Sequence, residues 1–275
     1  MALDLQKANR DWWERNPMRY NWREPLRHAE GTSEFFREMD ARFLGSSPFY
    51  RGAAPFERWM PFASLKGKRV LEVGCGAGCH AELLSRAGCE VWAVDLSAKA
   101  VETARKRAQV RNLAVRVQQM DGEHLAFEED SFDFVWSWGV IHHSASPEAV
   151  MRQVHRVLRP GGEFRLMVYH RDSLCNGVNL LRGLVTGKTY SDGYVARFYS
   201  PDQLRRLLRQ AGFEVRRTAV LGQTSELIPL PSAGRIGPLK SWLALHYPPA
   251  LAEALLSRIG SFLFAVAAKP EAAPR

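Results

Sequence analysis

Three sets of side chains in this sequence have the types and spacing to do chemistry. The first is a glycine loop. The run Arg69-Val-Leu-Glu-Val-Gly-Cys-Gly-Ala-Gly78 carries a hydrophobic strand into glycines at 74, 76 and 78, where positive φ and close approach of a ligand to the backbone are allowed. The dinucleotide fingerprint places its third glycine where this chain has Cys79, and no Gly-Lys-Ser/Thr follows to make a phosphate loop. The second set is a pair of acids. Asp95 lies 17 residues past Gly78, and Asp121 stands in Met-Asp-Gly-Glu. A strand-end carboxylate can accept from both ribose hydroxyls, at about 1.5–3 kcal/mol per charge-assisted bond. The second acid is placed to receive an adenine amino group. Each acid taken alone reads as well as a helix N-cap or a solvated loop. The ordered set of loop, acid and acid favours an adenosine without requiring a phosphate. The third set is the pair His142 and His143. An imidazole with a reference pKa of about 6.5 suits removal of a phenol or hydroxyl proton. The structural alternative has one histidine capping the Ser144–Pro147 turn while the other lines a pocket.

These residues need elements to hold them. Short β-branched or apolar runs at Arg69–Val73, Glu90–Asp95, Ala114–Gln118, Phe132–Trp138, Glu163–His170, Glu214–Leu221 and Phe262–Lys269 predict strands. Between them, Cys79–Ala87, Ala98–Arg111, Pro147–Val157 and Pro201–Ala211 predict helices, the first ending at Gly88 and the last at Gly212. The alternation predicts an α/β, Rossmann-like doubly wound fold with a seven-stranded, mostly parallel sheet. The organisation expected is a helical cap over 1–66, a core over 67–170, a lid insert over 171–200, and the end of the core over 201–275 with a helical insert at 222–260. Insertions at strand C-termini sit where open α/β sheets bind ligands.

Composition narrows the class. The chain has 275 residues and a formal net charge of +9, with 46% hydrophobic and 24% charged residues, ordinary globular values. Residues 67–150 carry 9 basic and 12 acidic side chains, whereas residues 151–275 carry 18 and 8. The basic excess therefore lies away from the glycine loop and hints at an anionic acceptor or a partner surface. No Lys/Arg block or nucleic-acid-binding motif is present, so nucleic acid is not an expected partner. Four cysteines in a chain of this length fit a reducing, cytoplasmic setting. The start lacks a signal-peptide pattern, and the run Phe262–Ala268 is too short to span a bilayer. No Cys-x-x-Cys or His-x-x-x-His spacing suggests a metal site.

The motifs together resemble a class I S-adenosylmethionine-dependent methyltransferase of the small-molecule, ubiquinone-methylase-like (type 11) group. The matching pieces are VLEVGCGAG (70–78), VWAVDLS (91–97), DGEHLAFEEDSFDFVWSWGVIHH (121–143) and LRPGGEFRLMV (158–168), in the family's order over about 100 residues. The resemblance implies S-adenosylmethionine as cofactor and S-adenosylhomocysteine as its product. It implies that Glu72 and the backbone at Gly74, Cys75, Gly76 and Gly78 hold the methionine end. Asp95 would take the ribose, Asp121 and Gly122 the adenine, and Ser137–Trp138 the approach beside the sulfonium, with Leu96 and Glu123 also among the cofactor contacts. By looser analogy, Tyr20 in the cap would close over the methionine carboxylate.

On the acceptor side, the expected contacts are Tyr169, Arg171, Tyr194, Arg197 and Tyr199, since aromatics with cations suit a flat or anionic ligand. The expected activity is methyl transfer to oxygen or nitrogen of a small aromatic or anionic metabolite, with His142 or His143 as base. The alternatives are C-methylation of a lipid such as a quinone or sterol, and a non-catalytic cofactor-binding partner subunit. A homodimer is compatible with the amphipathic C-terminal insert.

Overall fold

The computed structural model describes residues 2–18, 25–45, 50, 56–187, 193–228, 230 and 236–271. The strands are β1 (Arg69–Val73), β2 (Glu90–Asp95), β3 (Val115–Gln119), β4 (Phe132–Trp138), β5 (Leu158–His170), β6 (Phe198–Tyr199), β7 (Glu214–Leu221) and β8 (Phe262–Ala268). They form one sheet in the order β3-β2-β1-β4-β5-β8-β7, with β6 pairing β5 off this path. β8 runs antiparallel to both β5 and β7, and the other pairings are parallel. The Rossmann-like prediction stands, with one addition. The eighth strand, β6, is two residues taken from the segment expected to be all lid.

The helices are α1 (Ala2–Arg15), α2 (Ser33–Gly45), α3 (Phe62–Leu65), α4 (Cys79–Arg86), α5 (Ala98–Val110), α6 (Pro147–Val157), α7 (Leu174–Thr186), α8 (Pro201–Gln210), α9 (Gly237–His246) and α10 (Pro249–Ile259). Their starts follow local chemistry. Ser97, Ser146 and Ser173 accept from the amides of Ala100, Ala149 and Asn176. Ser200 and Gln203 form a reciprocal capping box.

The sheet buries apolar side chains on both faces, as a parallel sheet flanked by helices must. One layer holds Val70, Phe134, Trp136, Trp138 and Phe264 together with Phe43, Tyr50, Phe56, Trp59 and Met60 of the N-terminal segment. The other holds Leu71, Val73, Phe132, Val135 and Leu166 against α6 and α8. Phe132 and Phe134 fall in different layers, and the β4–β5 pairing shifts register between them.

A buried ion cluster ties α2, α4 and α5 together. Arg107 is 1% exposed. It donates to both oxygens of Asp40, at 2.8 and 2.9 Å, and to Glu82 at 3.1 Å, and lies 4.7 Å from the Phe36 ring centre. Removing one member of such a cluster strands a buried charge. Arg107→Met should therefore lower stability in urea unfolding by about 3–5 kcal/mol. Arg171→Ala, which removes an exposed, solvent-screened pair with Asp172, should leave the unfolding midpoint close to that of the wild type. Equal midpoints for the two variants would contradict a structural role for the cluster.

Candidate functional site

The loop after β1 is built by backbone geometry. The amides of Gly74 and Cys75 both donate to the Val94 carbonyl, at 2.8 and 3.0 Å. Gly74 has φ +80°, and a Cβ there would stand 2.2 Å from Val140 Cγ2, so only glycine lets β4's exit pack against the loop. Gly76, at φ +52°, faces open space, with no atom within 4 Å of where a Cβ would stand. The amide of Gly76 donates to Asp95 Oδ2 at 2.8 Å, and that of Ser97 to Oδ1 at 2.9 Å. Burial pushes the Asp95 carboxyl up to about 6. The two amides pull the other way, and the nearby Glu72 and Glu14 charges add to the rise.

Asp121 follows β3. Its Oδ1 accepts from Gln6 Nε2 and from the Glu123 amide, both at 2.9 Å. Gln6 also accepts from the Ala145 amide, at 3.1 Å. Glu14 accepts from the amides of Ala98 and Lys99, at the start of α5. Helix α1 is thus fastened across the C-terminal edge of the sheet. Beside Gln6, Asn9 is 2% exposed, and its Oδ1 has no partner among the described residues.

These groups open on a cavity of about 830 Å³, in the upper part of the ordinary range for small-molecule sites and roomy enough for two ligands. Of the residues expected to hold a cofactor, Gly74, Cys75, Gly76, Asp95, Leu96, Asp121, Gly122 and Trp138 line it. Four others do not. Gly78 sits behind the loop, as the residue before α4. Glu72 is 1% exposed and turns under the loop to His80 Nδ1 at 3.3 Å, its carboxyl pushed up by burial. Ser137 donates inward to the Val73 carbonyl. Glu123 accepts from the Ser144 hydroxyl at 2.7 Å and the Ser146 amide at 2.8 Å, so it braces the turn after β4. Tyr20 lies outside the described residues.

The two histidines sit in one short helical turn, Ile141–His143, and differ completely. His142 is fully buried away from the cavity, and both ring nitrogens lack partners among the described residues. Burial, with the neighbouring His143, holds it well below its ordinary pKa, so it stays neutral. Its ring centre lies 3.9 Å from that of Tyr169. His143 lines the cavity. Its Nδ1 lies 2.6 Å from the Val195 carbonyl, which can only accept. The ring proton is therefore on Nδ1 and the lone pair on Nε2. The edge of Trp13 packs 5.1 Å from the ring.

The expected acceptor contacts divide. Tyr169 lines the cavity. Arg197 does not, because its guanidinium donates to the carbonyls of Ser144 and Ala145. Arg171 is exposed and paired with Asp172, and Tyr194 is exposed. Tyr199 is a β6 core residue, 7% exposed. Cations and aromatics in a lid-like segment serve packing as readily as recognition. Sequence reasoning missed Gln6, Asn9 and Lys240, which line the cavity from helices α1 and α9. Among the described residues no helix is long and apolar enough to cross a membrane.

Comparison with known proteins gives the site a context. A family described as a methyltransferase domain matches residues 71–166. A ubiquinone biosynthesis O-methyltransferase of Roseobacter denitrificans is 28% identical, over 74% of this chain and 77% of its own length. One from Neisseria meningitidis serogroup C is 34% identical, over 60% and 74%. An S-adenosylmethionine-dependent methyltransferase from Mesorhizobium loti superposes with a TM-score of 0.52 at 20% identity, over 74% of this chain and 92% of its own, a likeness of fold.

The raised pKa of Asp95 makes a pH signature testable. Below about 6 the carboxyl is mostly protonated and loses its advantage as a double acceptor. S-adenosylhomocysteine affinity by calorimetry should therefore fall roughly tenfold from about pH 7.5 to about pH 5. Asp95→Asn should be weaker at the higher pH and nearly flat across this range. The same pH dependence in the variant would remove Asp95 from the binding site.

Proposed function

The chain belongs to the class I S-adenosylmethionine-dependent methyltransferases, and we propose that within this family it methylates an oxygen of a small aromatic acceptor, with His143 as general base. The described residues fit the cofactor. Gly76 leaves an unfilled cradle, Asp95 presents both carboxylate oxygens beside it, and Asn9, whose buried Oδ1 has no partner among the described residues, lines the same cavity. Asp95 would hold the ribose, and Asp121 with Asn9 the adenine. The loop from Gly74 to Ala77 would hold the methionine end. When bound, S-adenosylmethionine supplies an electrophilic methyl whose C–S electron pair leaves with the sulfur as S-adenosylhomocysteine.

The protein's own part is alignment and proton removal. Trp138, Tyr50 and Phe43 line the cavity as an aromatic wall that excludes water and favours a cation beside it. The observation that carries the reading is the tautomer of His143. Its Nε2 lone pair is the acceptor for the hydroxyl proton, while the Val195 carbonyl takes the Nδ1 hydrogen and steadies the imidazolium. His142 cannot share this role, since burial keeps it neutral and off the cavity. It positions His143 and Tyr169 by ring contact. The relatives named for O-methylation support oxygen as the accepting atom.

A lipophilic acceptor such as a quinone is the second reading. It is supported by α7, which turns Leu180, Leu181, Leu184 and Val185 to solvent. Flotation with phospholipid vesicles should carry the protein upward if this reading holds, and leave it at the bottom of the gradient otherwise.

In methyl-transfer assays over a set of phenols, His143→Ala should lower kcat by about 10²–10⁴-fold with S-adenosylhomocysteine affinity retained. His142→Phe should keep most of the activity. Equal activity in wild type and His143→Ala would leave catalysis to alignment alone.

A further inference from the structure

The half of the cavity beyond Tyr169 contains a cation that the chemistry above does not use. Among the described residues, three Lys or Arg side chains line the cavity: Arg42, Arg107 and Lys240. Arg42 is paired with Glu38 at 2.6 Å, and Arg107 is spent on Asp40 and Glu82. Lys240, half-buried on α9, makes no ion pair among the described residues. Glu226 is close enough to feel its charge. Its oxygens accept from the Gln223 amide at 2.7 Å and the Ser261 amide at 3.0 Å, and it forms no ion pair with Lys240.

The sheet order says which ligand Lys240 faces. Asp95 and Asp121 stand at the ends of β2 and β3, and the loop at the end of β1. The polar residues around Lys240 come from the opposite side. Gln223, Thr224 and Ser225 follow β7, Ser241 and Ala244 share α9, and Phe262 opens β8. From β2 to β8 there are four strand spacings, about 19 Å, so a cofactor anchored on Asp95 ends before this region. Between the two ends the wall is apolar, made by Trp138, Met167, Tyr169 and Phe262 from β4, β5 and β8. His143 meets that wall at Tyr169, with 5.6 Å between ring centres, and Lys240 lines the same cavity from α9. The carboxylates lining the cavity, Asp40, Asp95 and Asp121, all lie on the cofactor side.

We propose that Lys240, with Ser241 and the Gln223–Ser225 turn, recognises an acidic group on the acceptor, so that the substrate class is a hydroxylated aromatic acid. The inference rests on reading this half of the cavity as the acceptor's. The ring lies along the apolar wall, its hydroxyl reaches His143 Nε2, and its carboxylate reaches the ammonium. The basic balance of residues 151–275 thereby acquires one specific use.

The test is binding to the full chain loaded with S-adenosylhomocysteine, using 4-hydroxyphenylacetate and its neutral counterpart 4-ethylphenol, each titrated by calorimetry. The acid should bind about 10- to 100-fold more tightly than the neutral phenol, the worth of one charge-assisted contact in a partly desolvated site. Lys240→Met should erase that preference while leaving 4-ethylphenol and S-adenosylhomocysteine affinities unchanged. Lys240→Arg should retain most of it. Equal affinities in wild type, binding of neither probe, or a preference that survives Lys240→Met would overturn the proposal. So would a loss of S-adenosylhomocysteine affinity in Lys240→Met, which would put the charge on the cofactor's carboxylate. Methyl transfer to the same probes is read separately. A preference in binding without transfer contradicts His143-dependent O-methylation and leaves the anion site standing.

Discussion

The arrangement depends on one carboxylate. Asp95 is held where its charge is costly, and accepting from the amides of Gly76 and Ser97 offsets part of that cost. The first bond ties the glycine loop of β1 to the end of β2. The second sets the start of α5. Without them the loop would lose the shape that leaves Gly76 facing open space, and Gly74 would lose its close contact with Val140. That contact is where the two halves of the cavity meet, because Val140 leads directly into the turn carrying the histidines.

That turn is clamped from both sides. Glu123 accepts from Ser144 and Ser146, while Arg197 donates to the carbonyls of Ser144 and Ala145. Val195, only two residues before Arg197, supplies the carbonyl that sets the His143 tautomer. One short segment therefore sets both the position and the tautomer of the candidate base. Alignment of this kind is where much of a transferase's rate enhancement arises.

The parts of the fold legible in the sequence were those where local chemistry and long-range packing agree. β1, β2, β4 and β7 begin and end where their apolar runs do, and α6 runs over Pro147–Val157 as its pattern predicts. β5 begins five residues earlier than its pattern suggests, at Leu158, because Leu158 pairs Phe132 across the register shift. The loop and the two acids were legible as a set because each stands next to a strand end. Glu72, Ser137 and Glu123, expected beside the cofactor, do not line the cavity. A motif names positions, and whether a side chain turns to the cavity or to the backbone behind it depends on partners far away in sequence. Arg197 and Tyr199 stay off the cavity for the same reason. Lys240 was hidden because it sits in an insert whose sequence gives no sign of the strands it faces. Gln6 and Asn9 were hidden because a polar helix near the N-terminus looks the same whether or not it covers a cavity.

The central claim is that a single cavity holds the cofactor against Asp95 and Asp121 and presents its sulfur to His143. A crystal structure of the S-adenosylhomocysteine complex tests it most directly. The account predicts ribose hydroxyls within hydrogen-bonding distance of Asp95, adenine between Asp121 and α1, and the sulfur beside Trp138 with His143 Nε2 turned toward it. A ligand bound elsewhere, or a His143 ring whose Nδ1 has left the Val195 carbonyl to face the sulfur, would contradict it.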